Sequence, residues 1–314
     1  MAAGGKGLRR EPAEPTYHYM APHMAPLPAD THIGRVRLRV GDLERALAFY
    51  RGVLGLNVTR DEGSTLTLGA GGGGPTRSRE LLVLEEHPGI ARRPARPVTT
   101  GLYHVALLVP NRRELGRSLL GLQQAGYPLR GMSDHAVSES LYLDDPDGNG
   151  LELYADRPRS MWPVRDGAVQ MTVDPMDVAG VVAAGRERPE PWIGLSPETV
   201  VGHVHFTVSG LEPAVAFYRD VIGFDVMMSI PSLVAVSAGG YHHHLNLNTW
   251  AGERAAPDSD LVAGLSAWEL RVPDENARKA LIERVTAAGT LAASSNSVMA
   301  RDPDGVAVEI IGPA

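Results

Sequence analysis

The side chains best able to do chemistry in this sequence are its histidines. Three of the eleven stand in a row in 240-GYHHHLNLN-248, as His242, His243 and His244. His203 and His205 alternate in 202-GHVHFTV-208, His104 closes 101-GLYH-104, and His135, Tyr142 and Glu152 lie along 133-SDHAVSESLYLDDPDGNGLE-152. Imidazole binds metals and exchanges protons near neutral pH. The chain has no cysteine, which excludes disulfides, zinc ribbons, iron–sulfur clusters and thiol catalysis. A metal here must be held by nitrogen and oxygen. Successive side chains of a strand point to opposite faces. His203 and His205 therefore share a face, while His243 opposes both its neighbours. A metal site or a proton-transfer site needs one face only.

The elements that must position these residues form a repeat. The run 38-LRVGDLERALAFYRGVLGL-56 matches 206-FTVSGLEPAVAFYRDVIGF-224 at an offset of 168 residues. Each reads as a strand, a turn and an amphipathic helix, marked by Leu43, Ala46, Leu47 and Tyr50 and by Leu211, Ala214, Val215 and Tyr218. Gly55 and Gly223 stand where helix C-caps are expected. A second pair, 144-DDPDGNGLELY-154 and 301-RDPDGVAVEII-311, gives a Pro-Asp-Gly turn and then a strand carrying a glutamate. Strand-and-helix starts precede each, at 101-GLYHVALLVPNRREL-115 and 264-GLSAWELRVPDENAR-278. Four units result, near 31–88, 100–157, 200–250 and 262–312, with Gly71 to Gly74 as a loop in the first. The division expected is a disordered tail over 1–30, a first domain of two units over 31–157, a linker over 158–199 and a second domain over 200–314. So few and irregular copies do not make a solenoid. Units whose sheets curl and pair into cups fit better, in the α+β class.

Composition agrees with a globular chain: 314 residues, 43% hydrophobic and 21% charged. A net charge of −7 offers no footprint for nucleic acid. Residues 1–30 lack the apolar core of a signal peptide, no run is long enough for a membrane span, and a cytoplasmic location is expected. His18 and His23 are read as solvated tail residues, and Met20 and Met24 as alternative starts.

With these motifs the chain resembles the vicinal oxygen chelate superfamily, whose βαβββ modules pair into metal-holding cups. The resemblance runs from Thr31 to the end. Within it, His135, Leu141, Tyr142, Asp145, Pro146, Gly148 and Glu152 match the signature of extradiol ring-cleaving dioxygenases, with Ser133 departing where glycine is usual. The runs THIG, GLYH, DHAVSE, YADRPRS and GGYHHH are most similar to bacterial catechol 2,3-dioxygenases.

The resemblance implies four βαβββ modules in two paired-sheet cups, with metal ligands on the first and last strands of a module. Unit two offers His104 and Glu152, and unit three offers His203. The equivalents in units one and four are Arg35 and Ala267, although Glu309 keeps the carboxylate. Only units two and three together supply two histidines and a carboxylate. That set suits Fe(II), with O2 as co-substrate, and Mn(II) fits the same nitrogen and oxygen donors. Units one and four would form a metal-free cup, with Glu309 a relic or a salt-bridge member.

By the same resemblance His243 is expected as the catalytic proton acceptor and donor, with His244 its rival. His135 and Tyr142 would bond the substrate oxygens. His205, His244 and Tyr154 are read as pocket residues, and His242 as facing solvent or a neighbouring strand. Strand parity puts Leu245 and Leu247 on the His243 face, so a bend at Gly239-Gly240-Tyr241 is needed to turn His243 into a polar cup. Asp145 to Gly148 is read as a turn, since it lacks the spacing of a calcium loop. The activity implied is extradiol cleavage of a small aromatic diol, in a protein free or self-associated as a homo-oligomer. The alternatives weighed are a glyoxalase-like metal-dependent isomerase or lyase, which needs a fourth ligand, and a metal-free binding protein.

Overall fold

A computed structural model of the chain describes residues 25–71, 78–165, 168–188, 190–292 and 297–313. Each unit runs strand, helix, three strands. Unit one holds β1 (His32–Val40), α1 (Leu43–Tyr50), β2 (Asn57–Asp61), β3 (Thr65–Ala70) and β4 (Arg79–Glu86). Unit two holds β5 (Gly101–Leu108), α2 (Arg112–Gln124), β6 (Gly131–Asp134), β7 (Ser138–Asp144) and β8 (Gly150–Asp156). The segment 158–199 carries a short hairpin, β9 (Val164–Arg165) and β10 (Ala168–Val169), and a helix, α3 (Val178–Arg186), which packs along α2. Unit three holds β11 (Val200–Thr207), α4 (Leu211–Val215), β12 (Asp225–Ile230), β13 (Leu233–Ser237) and β14 (Leu245–Asn248). Unit four holds β15 (Gly264–Arg271), α5 (Glu275–Ala287), β16 (Leu291–Ala292), β17 (Met299–Arg301) and β18 (Ala307–Ile311).

Three of the long helices begin where a short polar side chain accepts an otherwise free N–H. Asp42 accepts from Arg45, Asn111 from Glu114 and Asp274 from Ala277. In unit three the expected continuous α-helix is interrupted. After α4 the chain widens into π-type winding over Ala216–Ile222, which keeps Phe217, Tyr218 and Ile222 buried. Gly223 ends that segment in the left-handed region at φ 108°, whereas α1 is capped by Arg51 and Gly55 lies beyond its cap.

The sheets do not follow the halves of the chain. One eight-stranded sheet runs β16-β17-β18-β15-β1-β4-β3-β2 and joins units one and four. The other runs β12-β13-β14-β11-β5-β8-β7-β6 and joins units two and three, the pairing that the ligand arithmetic required. Antiparallel pairing of β5 with β11 makes the seam of the second sheet, with His104 opposite His205. Leucine and valine on the outer face, including Val105, Leu107, Leu151, Leu153, Leu245 and Leu247, enter the core. The polar residues between them face the cup.

Within each half the two units are tied by side chains instead. Tyr50 on α1 bonds to Asp145 in the turn of unit two, and Tyr218 bonds to Asp302 in the equivalent turn of unit four. Both turns form as read, with Asp145 accepting from the N–H groups of Asp147 and Asn149.

Residues 1–24 of the expected tail, with His18 and His23, lie outside the described residues, as do Gly72 to Gly74. The end of the tail is not disordered. Leu27 is buried against the core and donates its N–H to Gly223 O at 2.8 Å. No helix among the described residues is long and apolar enough to cross a membrane.

Candidate metal centre

His104 lies on β5, His203 on β11 and Glu152 on β8, three adjacent strands of one sheet. β8 runs parallel to β5 with Glu152 beside Ala106, and Ala106 is opposite His203 across the seam. Alternation puts all three side chains on the concave face, while Leu151 and Leu153 go to the core.

The ligand atoms converge. His104 Nε2 is 2.9 Å from Glu152 Oε2, His203 Nε2 is 3.2 Å from the same oxygen, and the two Nε2 atoms are 3.3 Å apart. All three residues are buried. Metal–ligand bonds of about 2.0–2.2 Å at right angles put neighbouring donor atoms about 2.8–3.1 Å apart. The observed triangle is close to one face of such an octahedron. Three electron-rich atoms held this near each other in a buried site need a cation or a shared proton between them.

The protonation of the set suits a cation. Burial pushes His203 down to about 4, so its ring is neutral at physiological pH. Burial works to raise the Glu152 carboxyl, but the facing rings of His203 and His104 outweigh it and hold the group well below the usual carboxylate range. Glu152 is also oriented by Ser140, whose Oγ donates to Oε1 at 2.6 Å. His203 Nδ1 is buried with no hydrogen-bond partner among the described residues.

A cavity of about 500 Å³ opens over this cluster. His243 lines it, its ring 4.1 Å from that of His203, and burial holds its pKa well below the ordinary value. The bend expected before it is present: Gly239 and Gly240 take φ of 62° and 65°, values that favour glycine, and β14 starts only at Leu245. Parity therefore does not tie His243 to the face of Leu245 and Leu247. His244 does not reach the cavity. Its Nδ1 is held by Ser237 Oγ at 2.7 Å and Ala238 N at 3.2 Å, on the core side against Phe224.

His135 and Tyr142 stand together in the cavity wall. Thr172 O can only accept, so His135 Nδ1–H donates to it at 2.7 Å. Nε2 is then the acceptor, and Tyr142 donates its O–H to it at 2.6 Å. Burial, then the Glu152 charge, raises Tyr142 well above the usual phenol range and keeps that proton in place. Ala136, next to His135, takes φ 65°, an uncommon conformation for a residue with a Cβ.

His205 lines the cavity beside Trp250, with its Nε2 bonded to Asn248 Nδ2 at 2.8 Å. Tyr154 does not line it. Its ring lies 4.9 Å from His203 on the other side, and its hydroxyl bonds to Tyr241 at 2.8 Å. Gly202 makes this possible, since a Cβ there would overlap the Tyr154 hydroxyl. His242 does not face solvent: it is fully buried, with a partner on the neighbouring strand β8. Ser140, Asn246 and Trp250, and Met171 to Val173 from the 158–199 segment, also bear on the site and carry no chemical signature in the sequence.

In the other cup the metal-equivalent positions hold an ionic network. Arg35, at the register position of His203, pairs with Glu269 at 2.6 Å and Glu80 at 2.9 Å, and Arg37 lies 3.8 Å from Glu309. Guanidinium groups supply there the positive charge a cation would supply in the first cup.

The glyoxalase/bleomycin resistance protein/dioxygenase superfamily model matches residues 32–153 and 200–310. The catechol-2,3-dioxygenase of Bacillus subtilis is 44% identical over 285 residues, covering 89% of this chain and 96% of that protein. Biphenyl-2,3-diol 1,2-dioxygenase 3 of Rhodococcus globerulus is 42% identical over 60 residues, 19% of this chain and 32% of that one. Among solved structures, glyoxalase I from Zea mays matches with a TM-score of 0.53 and 16% identity, over 90% of this chain and 92% of that one, a likeness of fold.

Proposed function

The chain belongs to the glyoxalase/bleomycin resistance protein/dioxygenase superfamily, and on that premise we propose that it is an Fe(II)-dependent extradiol dioxygenase. Its substrates would be a catechol-type diol and O2, with both oxygen atoms entering the cleaved ring. The observation that carries this reading is the triangle of His104, His203 and Glu152 at the floor of a cavity walled by His243, His135 and Tyr142. Similarity to a catechol-2,3-dioxygenase over nearly the whole chain supports it.

Two imidazoles and one carboxylate would hold the iron and leave sites for a substrate with two vicinal oxygens. Iron(II) in that place supplies the redox chemistry between the ring and O2. His243, neutral and facing the cavity, accepts a proton from the diol and later returns it. Tyr142, held by His135, keeps oxygen lone pairs that accept from a substrate hydroxyl and fix the ring, which turns binding into orientation. Tyr103, Leu143, Met228, Ile230 and Trp250 in the cavity wall favour an aromatic ring over a sugar or an amino acid. A glyoxalase-like isomerase would need a fourth ligand, and among the described residues no other histidine or carboxylate joins the cluster.

The test is anaerobic loading with Fe(II), then addition of O2 and catechol, watching for the yellow ring-opened product. Colour from the wild type that is lost in His203→Ala supports the reading. Full iron binding with no ring opening of catechol or its alkyl derivatives would overturn it.

A further inference from the structure

We infer that His242 and Asp156 are positioning residues that fix the tautomer of His243 and keep the Nε2 lone pair of His243 turned into the cavity. The inference rests on the role given to His243 above. It is carried by a chain of hydrogen bonds that the proposed mechanism does not use.

The middle of the chain is His242, whose side chain is fully buried. Its Nε2 lies 2.8 Å from Asp156 Oδ1, and its Nδ1 lies 2.7 Å from His243 Nδ1. Asp156 ends β8, four residues after Glu152, so one strand carries both a ligand and the start of this chain. An ionised carboxylate can only accept, so the Nε2–H of His242 donates to Asp156. With His242 neutral, its other nitrogen is an acceptor, and the Nδ1–H of His243 donates to it. That places the hydrogen of His243 on Nδ1. Its Nε2, which has no hydrogen-bond partner among the described residues, keeps its lone pair. This is the form that accepts a proton from a diol. The opposite tautomer would point an N–H into the cavity and could only donate.

The surroundings hold His242 in that pose. Its ring packs tilted against Tyr241 at 4.0 Å and edge-on to Trp162 at 5.0 Å between centroids. Trp162 is fixed in turn by its Nε1–H to Arg157 O at 2.9 Å, and Tyr241 by its hydroxyl to Tyr154. Arg159 donates to Gly239 O at 2.9 Å and to Gly240 O, so the glycine bend is clamped from the same side. A merely packed aromatic residue at 242 would need only these ring contacts. The two nitrogen partners, on different elements, specify histidine.

The test has two parts. In the full chain loaded with diamagnetic zinc, 15N NMR of the ring nitrogens should show His243 protonated on Nδ1 and bare on Nε2. This needs no variant and no activity. In the Fe(II) enzyme, Asp156→Asn and His242→Phe should each lower kcat by roughly 10- to 100-fold while KM for catechol and iron content stay as in the wild type. His242→Gln, which restores an acceptor opposite His243, should recover part of the loss. A wild-type spectrum with the proton on Nε2 would overturn the inference. So would unchanged kcat in both Asp156→Asn and His242→Phe, or His242→Gln no better than Phe. Failure of the wild type to open catechol would count against the dioxygenase reading, and the NMR result would still decide the tautomer.

Discussion

Tyr50 Oη donates to Asp145 Oδ2 across 2.9 Å, and this bond joins the helix of unit one to the turn of unit two. Tyr218 and Asp302 repeat it between units three and four at the same distance. The sheets pair units one with four and two with three, so these bonds run across the sheet pairing. Each half of the chain is held to itself by a tyrosine and to the other half by a strand seam.

Removing either hydroxyl should therefore destabilise without touching the metal centre. Tyr50→Phe and Tyr218→Phe each leave a buried carboxyl short of a donor, an expected loss of about 1–3 kcal/mol. Urea unfolding of the two variants should show similar losses, with iron content unchanged. A loss confined to one variant would mean that the two joints are not equivalent.

The carboxyls of the same joints make a pH prediction. Burial pushes Asp145 up from 3.8 to about 6, and Asp302 likewise. Between these values the folded state holds a proton that the unfolded state has released, so this contribution to stability grows as pH falls from 7 towards 4. Wild type compared with Asp145→Asn isolates the group. The difference should move in favour of the wild type on acidification by up to about 3 kcal/mol. A flat difference across that range would show Asp145 to be ionised in the fold.

Much of this architecture could be read from the residues. The 168-residue offset placed His203 in register with Arg35, and the twin Asp-Pro-Asp-Gly turns placed Glu152 and Glu309. The need for two histidines and a carboxylate then chose the partner units, because strand position is a property of the repeat. His244 escapes the strand pattern for a local reason: alternation holds only inside a strand, and β14 begins after the histidines, beyond two glycines at positive φ. Tyr154 lies inside β8, and its hydroxyl passes over Gly202 to Tyr241 instead of lining the cavity. The Arg35–Glu269 and His242–Asp156 contacts span 234 and 86 residues and leave no periodic trace. The π-type winding over Ala216–Ile222 was hidden because its apolar pattern copies that of α1.

Arg35→Ala and His203→Ala stand at one repeat position and should behave differently. His203→Ala removes one of the three proposed ligands, so bound metal should be lost on dialysis and activity with it. Arg35→Ala should keep iron and activity but cost about 2–4 kcal/mol, since it strips a partner from Glu269, whose side chain is 1% exposed. Arg271, also bonded to Glu269 at 2.8 Å, limits the loss. Chelation of the wild-type metal should lower Tm, because a ligand of the folded state alone stabilises that state. Iron retained in His203→Ala would move the centre elsewhere.

His243→Ala separates acid–base chemistry from metal binding. His243 supplies no atom to the proposed ligand triangle, so its loss should leave the content of bound metal unchanged. It lines the cavity beside His203 and is neutral at physiological pH, because burial holds its pKa well below the ordinary value. A base so placed contributes about 10²- to 10⁴-fold to rate, so kcat should fall by that range. KM for catechol should change little, since Tyr142, held by His135, still bonds the substrate. Full activity in the variant would assign the proton transfer to His205 or His135, the imidazoles that line the cavity outside the proposed ligand set. Loss of iron would make His243 a fourth ligand, and the cluster would then have the donor count of an isomerase rather than a dioxygenase.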